Sequence, residues 1–193
     1  MAKGKIIFLN GTSNSGKAAI AWHLQEILPE PYLHFSIDTF LHMLPERFMT
    51  TEDGEPTIEN EKQLAELMPG LISSIHHCIL TFASQGHNLI VDHVLLNQDW
   101  LKECITLLDG YPVLFVGIHC RLKELDRRER RRNTTRGLAR QQIEFVHTNK
   151  IYDLEVDSDN FDAVECANKI LQALENGQAG EAFSRMRLLF TLQ

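Results

Sequence analysis

Gly11-Thr12-Ser13-Asn14-Ser15-Gly16-Lys17 has the spacing G-x-x-x-x-G-K. A loop of this kind turns several backbone N–H groups inward onto an anion, and a helix opening directly after it adds positive potential. Its lysine can then reach the β- and γ-phosphates of a nucleotide. A Gly/Ser turn followed by a surface lysine would show the same letters, so context decides. Ile6-Ile7-Phe8-Leu9 is an unbroken apolar strand before the loop, and Ile20, Leu24, Ile27 and Leu28 form a helical stripe after it. Ala18 stands where the motif places a Ser or Thr hydroxyl on Mg²⁺. A methyl group offers no ligand atom, so Mg²⁺ would rely on water, phosphate oxygens and carboxylates elsewhere, as its chemistry allows.

Two carboxylates end apolar strands. Asp92 follows Leu89-Ile90-Val91 and could hold Mg²⁺ directly or through water. Asp38 follows Phe35-Ser36-Ile37, where it could orient an acceptor hydroxyl and take its proton as a phosphoryl group moves. Either could instead cap a helix. Placed with the phosphate loop at the carboxyl edge of one sheet, where open α/β sheets bind ligands, both read as functional.

Residues 121–140 carry eight arginines, one lysine and three acids, a net +6 that leaves −13 on the rest of the chain. Arg127 and Arg131, like Arg128 and Arg132, are spaced i,i+4 and share a helix face. Arg136 and Arg140 lie beyond a break at Asn133-Thr134-Thr135. A solvated face or a nucleic-acid patch needs only this charge count, whereas a lid uses arginines to neutralise the oxygens of a transferring phosphoryl group. No aromatic residue between Phe115 and Phe145 is available to stack on bases, which favours the lid. His76-His77 has no companion ligands at metal spacing and reads as a structural or surface pair. Phe40, Met43, Phe48 and Met49 follow Asp38 as ordinary core or as the wall of an apolar acceptor pocket.

The elements that must position these groups alternate as βαβαβαβαβα, which predicts an α/β fold: a five-stranded parallel sheet with helices on both faces. Strands are expected at residues 6–9, 32–37, 88–96, 113–118 and 152–156. Thr50 to Glu61 reads as a polar, acidic loop, and Pro69 must kink the helical segment around it or begin a new helix. With 193 residues and 44% apolar side chains, one domain at 1–176 is expected, its lid near 127–140. Residues 177–193 form an apolar tail that could dock on the body or on a second copy of the chain. A net charge of −7 argues against general nucleic-acid binding. No apolar run approaches the roughly 20 residues of a membrane span. No signal peptide is read at Met1-Ala2-Lys3-Gly4-Lys5, and Cys78, Cys104, Cys120 and Cys166 are scattered in apolar segments as reduced thiols. A cytoplasmic protein is the expectation.

The sequence resembles the chloramphenicol phosphotransferase-like family of P-loop kinases. The resemblance rests on Ile7-Phe8-Leu9-Asn10-Gly11 running into Ser15-Gly16-Lys17, on Phe35-Ser36-Ile37-Asp38, and on Leu89-Ile90-Val91-Asp92-His93-Val94. Val116-Gly117-Ile118-His119-Cys120 and the run Tyr152-Asp153-Leu154-Glu155-Val156-Asp157 complete it, in family order from residue 5 to about 175. It implies a three-layer P-loop kinase fold with an arginine-rich lid. It also implies transfer of the γ-phosphoryl group of ATP to a hydroxyl of chloramphenicol or a similar small molecule, an antibiotic-resistance activity. By that likeness Asp38 is the catalytic base, Lys17 and residues Gly11 to Ala18 hold the phosphates with Arg127, and Arg131 and Arg136 act from the lid. Asp92 would hold Mg²⁺ through water. Ala18 departs from the family's serine, and His93 stands where a second acid is expected after Asp92. The alternatives are a kinase for a nucleoside, shikimate-like or sugar-acid acceptor, and a nucleotide-binding module that does not turn over.

Overall fold

The computed structural model describes residues 2–48, 57–132, 137–177 and 180–191. Arg136, the Asn133–Thr135 break and most of the acidic stretch, residues 49–56, lie outside them. Five strands, β1 (Ile6–Asn10), β2 (Tyr32–Ser36), β3 (Asn88–His93), β4 (Val113–His119) and β5 (Leu154–Asp157), form one parallel sheet in the order β2-β3-β1-β4-β5. β1 is central and buried along its whole length, because helices cover both faces and leave no position for a polar alternation. On one face lie α1 (Lys17–Ile27) and α7 (Ala163–Glu175), with Ile20, Leu24, Cys166 and Ile170 packed on Ile7, Leu9 and Val116. On the other lie α3 (Ile58–Ser84), α4 (Gln98–Leu107) and α8 (Ala182–Thr191), packed on Phe8, Val91 and Phe115. Short α2 (Ile37–Leu41), α5 (Leu122–Arg132) and α6 (Leu138–Val146) stand at the carboxyl edge of the sheet.

Register explains why the two carboxylates meet the loop. Asp92 is level with Leu9 of β1 and with Ser36 of β2. Gly11 and Asp38, two residues further along each neighbour, therefore rise past the same edge. The edges of several elements differ from the sequence expectation. Thr57 caps α3 by accepting from Asn60 N–H, so residues 58–61 are helical and not loop. Pro69 sits inside one continuous helix and begins no new one. β2 ends at Ser36, β3 at His93, and β5 starts at Leu154; the Tyr152 ring before it packs on Gly117, where a Cβ would come within 2.8 Å of it. An 18-residue window of α3 reaches a mean hydropathy of 1.2, enough by length and composition for a membrane span. Its Ile72, Ile75, Ile79 and Ala83 are committed to the core against the sheet. Phe183 and Met186 of the tail are buried beside Phe8 and Phe115, and Asp153 fastens that helix by accepting from Ala182 N–H at 2.8 Å and from Phe115 N–H at 2.8 Å. The tail thus packs on the body of its own chain.

Asn10, wholly buried, ties the phosphate-loop end of β1 to three other segments. Its side-chain NH₂ donates to Val146 O at 2.8 Å and to Tyr152 OH at 2.7 Å, and its oxygen accepts from Leu95 N–H at 2.8 Å. Tyr152 OH lies 2.7 Å from His147 Nδ1, and His147 stacks on His119 with centroids 4.0 Å apart. Replacing Asn10 by Leu leaves these groups unpaired in the interior. Urea unfolding of Asn10→Leu is expected to show a loss of roughly 2–4 kcal/mol. Burial, then His119 and Lys150, lower the His147 pKa to about 3. The unfolded chain, with an ordinary imidazole, takes up this proton first, so its contribution is complete above about pH 6.5 and is lost as pH falls from there towards 3. Urea midpoints at pH 7.5 and pH 5 should therefore fall further for the native chain than for His147→Phe.

Candidate active site

The loop from Gly11 to Gly16 follows β1 directly and opens α1. Gly16 adopts φ 97°, a left-handed conformation that suits glycine, and a Cβ on Gly11 would meet Ile118 O at 2.7 Å. Lys17 is 6% exposed and folds back over the loop, donating to Thr12 O at 2.8 Å. Its ammonium is also 3.5 Å from Asp92 Oδ1. Burial works against the charge of Asp92, yet Lys17 and His34 beside it hold the carboxyl below its usual range. Ser13 N–H donates to Gln142 Oε1 at 2.6 Å, so α6 reaches the loop. That helix is placed by Glu129 of α5, whose buried carboxylate accepts from Gly137 N–H at 2.8 Å and Ala139 N–H at 2.9 Å. Two orphan donors at the start of α6 are satisfied in this way.

Two clefts flank the loop. The first, of 420 Å³, lies beneath α5 between Gly16, Ala19, Arg127, Arg128, Arg131 and Phe161. The second, of 320 Å³, holds Lys17, Ala18, Asp38 and Asp92 against Met68, Ile72 and Trp100. Gly16 and Arg132 belong to both. Asp38 reaches the second cleft from the first turn of α2, where Ser36 caps the helix through Asp38 N–H at 3.3 Å. Cap chemistry and cleft position coincide here, with Ser36 taking the capping role.

The predicted arginines separate by what they touch. Arg127 is held bidentately by Glu124 at 2.7 Å, and Arg127 first, with Arg128, draws the Glu124 carboxyl down to about 2. Arg131 lines the first cleft only, away from Asp38. Arg128 braces the loop itself, donating to Asn14 O at 3.3 Å and Ser158 O at 2.5 Å. Arg132, and not Arg131, spans both clefts. Arg140 pairs with Asp126 at 2.8 Å. The i,i+4 spacing identified Arg128 and Arg132 as a face but could not say which face looked at the loop. Gln142, Glu129 and Trp100 carried no sequence signal for these positions.

Among the described residues, no cluster of three or more His, Cys, Asp or Glu side chains is placed to hold a metal by itself. Ala18 contributes no oxygen, and His93 points to the opposite face of the sheet from Asp92, stacked on Phe8. The donors present therefore fit Mg²⁺ that arrives on a nucleotide's phosphates with its own waters, with Asp92 as an outer carboxylate.

Comparison with known proteins agrees with this architecture. The chain is similar to a Mycobacterium tuberculosis protein provisionally named an O-phosphotransferase, at 27% identity over 208 residues, covering 98% of this chain and 91% of that protein. Among solved structures, the APS kinase of M. tuberculosis superposes with a TM-score of 0.65 at 17% identity, over 91% of this chain and 99% of the kinase. A gluconokinase from Sinorhizobium meliloti gives a TM-score of 0.60 at 18% identity, over 100% of both chains. Likeness at these identities establishes the fold, that of the P-loop kinases. The family model described as chloramphenicol phosphotransferase-like protein matches residues 4–175, and the chain belongs to that family.

Proposed function

We propose that this protein is an ATP-dependent O-phosphotransferase that moves the γ-phosphoryl group to a hydroxyl of a small, largely apolar molecule, chloramphenicol or a compound like it. The observation that carries the reading is the meeting of two clefts at Gly16 and Arg132, with Lys17, Asp38 and Asp92 together on one side of the junction. The O-phosphotransferase name of the mycobacterial relative supports the same reaction class.

In this reading the nucleotide lies in the first cleft under Arg127, Arg128 and Arg131, with its phosphates on the amides of the loop. Lys17 exchanges the Thr12 carbonyl for phosphate oxygens, a short movement for a long side chain. Asp38 accepts the proton of the acceptor hydroxyl as that oxygen bonds to the γ-phosphorus, and the bond to the β–γ bridging oxygen breaks to release ADP. Arg132 stands at the junction to neutralise the transferring oxygens, and Arg136 remains a lid candidate beyond the described residues. When bound, Mg²⁺ supplies charge neutralisation at the β- and γ-phosphates, and Asp92 would hold it through water.

Acceptor choice follows from the wall. Ile37, Leu41, Met68, Ile72, Val94 and Trp100 make it apolar, and among the described residues the cations that line it are Arg132 at the junction and Lys17 next to Gly16. That favours a neutral acceptor over a shikimate-like or sugar-acid one, whose carboxylate would be buried unpaired. Chloramphenicol is the first acceptor to test, with γ-labelled ATP and Mg²⁺. Label is expected on chloramphenicol, lost in Lys17→Ala, and reduced at least about 100-fold in Asp38→Asn while ATP affinity stays within about twofold. Transfer undiminished in Asp38→Asn would remove the assigned base. Ala18→Ser restores the missing hydroxyl, and the Mg²⁺ concentration giving half-maximal transfer should fall. A requirement unchanged by that substitution would contradict a role for the missing hydroxyl.

A further inference from the structure

Behind the wall of the second cleft, three side chains form a chain that phosphoryl transfer does not itself call for. His76 Nδ1 lies 2.5 Å from Glu103 Oε2, and His76 Nε2 lies 2.9 Å from His93 Nε2. The Ser73 hydroxyl donates to the other Glu103 oxygen at 2.5 Å. His76 is 1% exposed and His93 0%. A carboxylate only accepts, so the proton on His76 belongs on Nδ1. The neutral ring then presents a bare Nε2, and His93 must donate to it from its own Nε2. His93 Nδ1 has no hydrogen-bond partner of its own. Burial disfavours a second proton on His76.

Each link belongs to an element that also lines the cleft. His76 lies one turn beyond Ile72 on α3, Glu103 follows Trp100 by three residues on α4, and His93 sits between Asp92 and Val94 at the end of β3. The His93 ring stacks on Phe8 at 5.8 Å and meets Trp100 edge-on at 6.2 Å. Apolar side chains of similar size would fill this space, but they would allow α3 and α4 to slide. Directional bonds of fixed length do not.

We propose that Glu103, His76 and His93 are positioning residues: a hydrogen-bonded chain, buried at both histidines and part-exposed at Glu103, that fixes α3 and α4 against β3 and so sets where Ile72, Trp100 and Asp92 stand in the second cleft. The proposal does not depend on which acceptor the cleft takes. It predicts a definite proton on each ring, which a merely space-filling pair would not require.

The test uses the full chain with ¹⁵N-labelled histidine, reading ring tautomers by long-range ¹H–¹⁵N correlation at pH 7. His76 is expected as the neutral Nδ1–H form and His93 as the neutral Nε2–H form. Glu103→Leu should shift the ring nitrogens of His93, although Glu103 does not touch that ring, whereas Glu103→Gln, whose amide oxygen can accept the same proton, should leave them near the native values. In a Trp22→Phe background Trp100 is the remaining tryptophan. Its emission should move to longer wavelength with Glu103→Leu and hold with Glu103→Gln. A doubly protonated or Nε2–H His76 in the native chain overturns the proposal even if Glu103→Leu does not fold. So do His93 signals or Trp100 emission that ignore a folded Glu103→Leu.

Discussion

Asn10 closes β1 with its side chain entirely out of water, and its amide is obliged to find partners there. It finds them on the segment after β3, at the end of α6 and on Tyr152 before β5. These are the segments that surround the phosphate loop, and they come from widely separated parts of the chain. Because Val146 O is held at one end of α6 and Glu129 holds the other, Gln142 between them is delivered to Ser13 N–H. The shape of the loop is thus set by its own glycines and by a frame that converges on the residue preceding it.

Charge is distributed with the same economy. A chain of net −7 gathers arginines on α5, and the loop draws on them selectively. Arg128 is occupied with the loop carbonyl of Asn14 and with Ser158, while Arg127 is tethered to Glu124. Lys17 rests on Thr12 O and beside Asp92, partners that an anionic ligand can replace. Arg132 stands at the junction and lines both clefts.

What could be read in the sequence was what local pattern encodes. The unbroken run Ile6–Leu9 announced a strand covered on both faces, and the strand–loop–helix context made Lys17 interpretable. Asp38 and Asp92 were legible because strand ends in parallel sheets share an edge. Contacts between distant residues were not legible: no spacing links Gln142 to Ser13, or His76 to His93 and Glu103. His76-His77 was read as a structural or surface pair, and the structure divides it. His76 is buried at the centre of a chain, while His77 turns outward and pairs locally with Ser73 O. The place of His93 was within reach of the sequence. Successive strand side chains point to opposite faces, so a residue following Asp92 was never positioned to stand beside it as a second metal-binding acid. Arg131 shows the complementary limit, since helical spacing assigns a face and not a destination.

Under the proposed function, nucleotide and acceptor occupy separate clefts that meet at Gly16 and Arg132. Methyl NMR tests it directly, with the Ala19 methyl reporting on the first cleft and the Met68 and Ile72 methyls on the second. A non-hydrolysable ATP analogue should shift Ala19 and leave Met68 and Ile72 largely in place, and chloramphenicol added afterwards should shift Met68 and Ile72. A nucleotide analogue that moved Met68 and Ile72 while leaving Ala19 untouched would place the nucleotide in the other cleft and contradict the account.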